Sequence, residues 1–278
     1  MPLPQIRPFS SADITAAVAL SCAEGWPHRA EDWALIAEIS QGFVAMSDGK
    51  VVGTAFCTRY GEDAAMLNMI VVDAKMRGRG LGRRIVERIM ELAGERQMRL
   101  VATEAGLPLY AKLGFVEAER ILQHQGEATD VAAPEGIENA AADDWQAIAE
   151  LDLSAFGGDR STLLDRIHSV GEALVERGDR GDVVAYAACR PFGRGAVIGP
   201  VVAPDAATAK RLIAGHLHSR RGQFVRIDTA ASMGIAPWLI GQGLVHVGGG
   251  VAMTLGSPPP ASPKSGAQLF ALAAQALG

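Results

Sequence analysis

Apolar residues recur at helical spacing in DITAAVALSCA (13–23) and AEDWALIAEI (30–39), which predicts two helices early in the chain. GFVAMSDGKVVGTAFCTRY (42–60) then reads as two strands joined at Asp48-Gly49, a dipeptide suited to the positive backbone angles of a tight hairpin. AAMLNMIVV (64–72) is a short unbroken apolar run and predicts a third strand. A helix follows in GRRIVERIMELAGERQ (82–97), with Leu81, Ile85, Ile89 and Leu92 as its apolar stripe. MRLVAT (98–103) is another strand, LPLYAKLG (107–114) a short helix ended by Gly114, and FVEAERILQHQ closes the unit. Strands crossed by helices imply an α/β or α+β domain on a mixed sheet, about 125 residues long.

The second half echoes the first. IRPFSSAD runs from Ile6 to Asp13 and IENAAADD from Ile137 to Asp144, each followed by a helix. PLYAKLGFV (108–116) aligns with PWLIGQGLV (237–245), keeping the proline, the helix-ending glycine and the apolar pair. Between these anchors, 182–204 again reads as strand, turn, strand, and AATAKRLIAGHLHSRR (206–221) as a helix. The matched order and spacing imply a tandem duplication, with units over 1–125 and 135–255. The polar stretch 124–136 is the expected linker. A proline-rich tail (256–266) leads to AQLFALAAQALG (267–278), an apolar helix candidate that docks on the chain's own surface or forms a dimer contact.

Composition narrows the partners. The 278 residues carry a net charge of −5, with 49% hydrophobic, 21% charged and 5% aromatic residues, so a nucleic-acid backbone is not the expected ligand. The cluster Arg77, Arg79, Arg83, Arg84 is a local exception, and it suits a small anion better than a polyanion. Cys22, Cys57 and Cys189 lie far apart with no metal spacing, and His216 and His218 sit at the wrong interval for one helix face, so no metal is expected. Reduced thiols, no secretory leader pattern and no long apolar span lead to the expectation of a cytoplasmic protein without a membrane partner.

MRGRGLGRR (76–84) follows the third strand directly. It lacks the GxxxxGK[ST] order of a P-loop, and Arg83 stands where a dinucleotide fingerprint needs its third glycine. What remains is R-x-x-G-x-G, carried by Arg77, Gly80 and Gly82. A turn without Cβ atoms lets successive N–H groups converge, and the helix starting near Leu81 adds its positive end. That combination suits a phosphate, although a glycine turn with solvated arginines is the plain alternative.

MIVVDAKMRGRGLGRRIVERIME followed by LPLYAKLGFV resembles the Gcn5-related N-acetyltransferase (GNAT) superfamily. R-x-x-G-x-G matches that family's pyrophosphate loop, and the two segments come in the family's order. The likeness covers about residues 3–123, and the diverged second half resembles bacterial tandem GNAT proteins. The resemblance implies two tandem GNAT-like domains, the first binding acetyl-CoA and the second degenerate, followed by the tail (256–278). It implies acetyl transfer to the amine of a small-molecule acceptor by direct attack on the thioester, in a monomer or homodimer. A non-catalytic acyl-CoA sensor is the alternative. The backbone of Met69, Ile70, Val71 and Val72 would pair with the pantetheine arm, with the amides of Ile70 and Val71 polarising the thioester carbonyl. Arg77, Gly78, Arg79, Gly80, Leu81, Gly82 and Arg83 would wrap the pyrophosphate. Tyr110 would be the acid that protonates the leaving thiolate.

The family often has asparagine seven residues before this tyrosine; Thr103 stands there, with a hydroxyl still able to bond a coenzyme arm or water. Glu24 and Glu104 are candidates for a base. EGWPHRAEDW (24–33) falls where the superfamily shapes its acceptor pocket, so Glu24, Trp26 and Asn68 are candidate acceptor contacts, with Trp33 packing in the core. In the second half Leu239 takes the place of Tyr110, and after AVIGPVVAP (196–204) comes DAATAKR (205–211), with no R-x-x-G-x-G at that position, which implies one coenzyme per chain. The unusual stretch LDLSAFGGDR (151–160) adds Asp152, Phe156 and Arg160 as candidate linings of the acceptor pocket.

Overall fold

The computed structural model describes residues 4–258 and 266–278; most of the proline-rich stretch, 259–265, lies outside them. The first half runs β1 (Gln5–Pro8), α1 (Ile14–Ala23), α2 (Ala30–Ile39), β2 (Gln41–Ser47), β3 (Lys50–Tyr60), β4 (Ala64–Val72), α3 (Leu81–Ala93), β5 (Gln97–Ala102), α4 (Leu107–Lys112) and β6 (Val116–Glu127). The second runs β7 (Ile137–Asn139), α5 (Asp144–Phe156), α6 (Ser161–Val170), β8 (Glu172–Arg177), β9 (Val183–Phe192), β10 (Gly195–Ala203), α7 (Ala206–Ser219), β11 (Phe224–Ala230), α8 (Ala236–Gly241), β12 (Val245–Leu255) and β13 (Gln268–Ala271). No helix among the described residues is long and apolar enough to cross a membrane.

Local chemistry explains the matching elements. Asp48 (φ +49) and Gly49 (φ +74) make the β2–β3 hairpin turn. Leu81, Ile85, Val86 and Ile89 bury the stripe of α3 against the sheet. The duplication is visible in repeated details. Asp13 accepts the Ser10 amide (2.9 Å) and Asp144 the Ala141 amide (2.8 Å), which fixes the chain entering α1 and α5 alike. The short helices α4 and α8 both have proline in their first turn and end before a left-handed glycine, Gly114 or Gly243.

All strands join one mixed sheet, in the order β1-β2-β3-β4-β5-β12-β6-β11-β13-β10-β9-β8-β7. The halves exchange their last long strands. β5 pairs with β12, Leu100 opposite Met253, whereas β6 pairs with β11, His124 opposite Ile227. The stretch 124–136 expected as linker thus begins within β6, which ends at Glu127, and residues 245–255 pair with β5 and β6 of the first half. The exchange also supports one apolar core spanning both halves, with Trp33, Phe56 and Met66 packed beside Ile148, Leu163 and Tyr186.

The expected C-terminal helix is a strand instead. β10 and β11 pair in parallel only at Ala196 and Val197 and then diverge, leaving facing backbone groups without partners. β13 enters that gap, with Val202 opposite Leu269 on one side and Thr229 opposite Ala271 on the other. Gly199 permits the close passage, because a Cβ there would lie 1.9 Å from the Leu272 carbonyl oxygen. β4 and β5 diverge in the same way after Met66, but no strand among the described residues fills that gap.

Candidate active site

The unfilled gap opens into a cavity of about 260 Å³, lined from both halves. β4 supplies Asn68, Met69 and Ile70, the end of β5 leads to Thr103, and α4 brings Tyr110. Trp26 and His28 come from the α1–α2 connection, and the second half adds Phe192, Arg226 and Gln275.

β4 is bulged at the cavity. Thr54 pairs with Val71 and Phe56 with Asn68, so Met69 and Ile70 together oppose Ala55. Met69 takes φ +46, and the Thr54 hydroxyl donates to its carbonyl oxygen at 2.7 Å. A β-strand residue held in the left-handed region costs on the order of 1–3 kcal/mol, a strain that concentrates at functional positions. The bulge withdraws this stretch from regular pairing with β3 beside the cavity. Val71 and Val72 regain that pairing and lead into the glycine–arginine loop.

In that loop Gly78 (φ +74) and Gly80 (φ +77) are left-handed, and Cβ atoms there would meet no neighbour within 4 Å. Gly80 precedes Leu81, Gly82 and Arg83, whose amides helix geometry leaves without intrahelical acceptors. The equivalent helix start in the second half is closed: Asp205 accepts the Thr208 amide at 2.8 Å. An anion is favoured at the open end of α3 and repelled by the carboxylate at α7. Arg77 is fixed at the end of β4, donating from Nε to the Val72 carbonyl (3.1 Å) and pairing with Glu24 at 2.5 Å. Arg83 pairs with Glu87 along α3 at 2.7 Å.

Tyr110 is only 7% exposed, and burial pushes its phenol well above the ordinary range, so it carries its proton at neutral pH. Its counterpart Leu239 is fully buried, and the local chain is the same: Phe115 N–H donates to the Tyr110 carbonyl (3.0 Å), Leu244 N–H to that of Leu239 (3.1 Å). Asn68 is 5% exposed. Its Nδ2 donates to Thr58 Oγ1 (2.8 Å) and to the Met66 carbonyl (3.3 Å), which can only accept. That fixes the amide orientation and leaves Oδ1 buried without a partner among the described residues. His28 also lines the cavity; burial, reinforced by the Arg226 and Arg190 guanidiniums, lowers its pKa to about 4 against the opposing pull of Asp32.

Other sequence candidates lie elsewhere. Asp152 and Arg160 are both 0% exposed and form a buried two-pronged ion pair (2.6 and 2.8 Å), with the Tyr186 hydroxyl on the same carboxylate. Arg160 also donates to the Gly278 carbonyl and stacks over Phe156 (4.1 Å). Asp152, Phe156 and Arg160 are not among the residues that line the cavity; Arg160 and Phe156 pack against Gly278 and fasten the C-terminal segment, with Asp152 neutralising Arg160. Glu104 is exposed and pairs with Arg120 at 2.6 Å, and no carboxylate lines the cavity among the described residues. Trp33 is fully buried in the core, as expected. His28, Phe192, Arg226 and Gln275 escaped the sequence reading; the aromatic-flanked EGWPHRAEDW stretch held the only signal, for His28.

The comparisons with known proteins agree with this architecture. One family model, described as an acetyltransferase (GNAT) domain, matches residues 38–117, and a second of the same description matches 148–271. The uncharacterized N-acetyltransferase YitH of Bacillus subtilis (strain 168) is 30% identical over 167 residues, covering 58% of this chain and 59% of that protein. A glucosamine 6-phosphate N-acetyltransferase of Trypanosoma brucei brucei is 31% identical over 91 residues, covering 30% of this chain and 62% of that protein. The chain thus spans less than two thirds of the length of either curated relative. A Pyrococcus horikoshii protein described as a candidate acetyltransferase shares the fold with a TM-score of 0.83 at 21% identity, over 100% of this chain and 97% of that one. A tandem GNAT protein from the clavulanic acid biosynthesis pathway does so with a TM-score of 0.66 at 16% identity, over 90% and 98%. With an acetyltransferase (GNAT) domain matched in each half, the chain belongs to the GNAT acetyltransferase family.

Proposed function

We propose that this chain transfers an acetyl group from acetyl-CoA to the amine of a small-molecule acceptor, at the cleft between β4 and β5. The observation that carries this reading is the coincidence, in one cavity, of an open strand gap, a bulged β4 at Met69 and the protonated phenol of Tyr110. Acetyl-CoA supplies an activated thioester carbonyl and a thiolate leaving group.

The chain's residues fit that co-substrate. The diverging strands leave the Met69–Val72 backbone available to an extended arm, and the open start of α3 with Arg77 suits a pyrophosphate. At the bulge, the Ile70 amide serves as donor to the carbonyl oxygen as charge develops, a type of contact worth about 2.7–4 kcal/mol of barrier lowering, whereas Val71, expected to share this role, is back in register with Thr54 of β3. As the C–N bond forms and the C–S bond breaks, Tyr110 gives its proton to the departing sulfur, and the proton lost by the amine nitrogen restores the phenol through solvent; the high pKa of Tyr110 suits an acid that must stay protonated until the thiolate forms. Asn68 Oδ1 accepts a hydrogen bond from the incoming amine. Thr103 and Trp26 complete the wall around the reacting end.

The second half binds no coenzyme in this reading, because β13 fills its strand gap and Asp205 closes its helix. It contributes acceptor-side wall instead. The test is release of free thiol from acetyl-CoA across a panel of primary amines. Amine-dependent release supports acetyl transfer, and silence across the panel despite tight CoA binding contradicts it.

A further inference from the structure

An arginine cluster at and behind the cleft wall, of which Arg226 alone lines the cavity, carries surplus positive charge. Arg226 lines the cavity, with Nε and Nη2 on the fully buried Asp228 carboxylate at 2.9 and 3.0 Å. Arg190 shares its face of the sheet, since Val197 of β10 stands opposite Arg190 of β9 and beside Arg226 of β11. Both guanidinium carbons lie 5.3 Å from the centre of the Phe192 ring.

The carboxylate facing Arg190 is Asp32, at 3.9 Å, and it is already committed. Arg29 holds it through two hydrogen bonds (3.0 and 3.1 Å), and the Gly193 amide donates to it at 3.0 Å. Three guanidiniums therefore meet two carboxylates, an excess of one positive charge. Among the described residues Arg190 Nε is also buried without a hydrogen-bond partner, a costly state for a cationic donor. Burial is the main cause of the depressed pKa of His28; Asp32 opposes it, and Arg226 and Arg190 each add a smaller push in the same direction as burial. An oxyanion carried in by a ligand relieves that imbalance. On the first half's wall two lining residues have unmet atoms among the described residues, Asn68 Oδ1, which needs a donor, and His28 Nδ1.

Resting on the acetyl-transfer reading of this cleft, we infer that the acceptor is a primary amine that also bears an oxyanion, a carboxylate or a phosphate. Its amine meets Asn68 of the first half and its anionic group meets Arg226 of the second. The second half is then a specificity domain: it has given up its own coenzyme gap and supplies the charge that selects the acceptor.

The test uses the full chain saturated with CoA and two matched pairs: O-phosphoethanolamine with ethanolamine, and L-phenylalanine with phenethylamine. Binding is read by titration calorimetry, and thiol release from acetyl-CoA is followed in parallel. The anionic member of at least one pair is expected to bind about tenfold or more tightly than its partner, the range of a charge-assisted hydrogen bond. Which pair shows the preference separates phosphate from carboxylate. The double variant R226Q/D228N removes the ion pair without stranding a buried carboxylate; it should cut the preference below about threefold at unchanged CoA affinity. R226K should retain part of it. Equal or reversed preference in both pairs overturns the inference. So do failure of both anionic members to bind at about 10 mM and survival of the preference in the double variant. Preference in binding without thiol release upholds the anion site and contradicts acetyl transfer. Thiol release that is equal within both pairs does the opposite.

Discussion

Glu24 and Arg77 form a 2.5 Å ion pair that ties the α1–α2 connection, whose next residues wall the cleft, to the glycine–arginine loop. The carboxylate thus occupies a guanidinium that the proposed pyrophosphate also needs. Glu24→Gln is expected to tighten CoA binding about two- to fivefold at low salt, the range for a partly exposed pair, with the gain shrinking as salt rises. Calorimetric titration checks this, and weaker CoA binding by the variant contradicts the competition.

The two halves make opposite predictions at equivalent helix starts. Gly80→Asp places a side chain at φ +77 and a carboxylate at the open end of α3, so CoA affinity should fall about tenfold or more. Arg77→Glu should act in the same direction. Asp205→Ala removes the cap of α7 and should cost about 1 kcal/mol of stability without changing CoA affinity. Chemical denaturation and CoA titration of the three variants separate these effects.

Much of this contrast was legible in the sequence. R-x-x-G-x-G, the Asp48-Gly49 turn and the alignment of Tyr110 with Leu239 rest on local chemistry that survives any tertiary arrangement. The strand exchange was not legible, because alternation in β6 and β12 marks a strand without naming its neighbour. The segment 267–278 misled for a related reason. Its alanines and leucines suit a helix, but the unpaired edges of β10 and β11 gain more from an extended segment. Asp152 and Arg160 read as pocket groups because nothing local shows that two charges eight residues apart neutralise each other inside the core. Arg226 and Phe192 reach the cleft only through the packing of one half on the other.

His28 gives the cleft a pH signature. Its folded pKa is about 4, below the ordinary histidine value of 6.5. Between those values the unfolded chain takes up a proton that the folded chain refuses, so stability present above pH 6.5 is lost as pH falls toward 4. The loss amounts to at most about 3 kcal/mol. His28→Gln should flatten the decline in melting temperature across that window. A decline as steep as that of the wild type contradicts this assignment.

The Asp152–Arg160 pair is structural in this account. Asp152→Asn leaves a fully buried guanidinium short of its counter-charge and should destabilise the fold by about 3–5 kcal/mol. At a temperature where the variant stays folded, its acceptor KM should match the wild type. An altered KM with unchanged melting temperature would place these residues back in the acceptor pocket.

Acetyl transfer with Tyr110 as the acid is the central claim, and Tyr110→Phe tests it most directly. Both forms are assayed for amine-dependent thiol release at saturating acetyl-CoA, and acetyl-CoA affinity is measured on the same preparations. The wild type is expected to show amine-dependent release, and the variant a fall of about 10²-fold or more in kcat with nearly unchanged acetyl-CoA affinity. Equal turnover by the two forms contradicts the acid role, and tight acetyl-CoA binding with no amine-dependent release by the wild type contradicts the transfer itself.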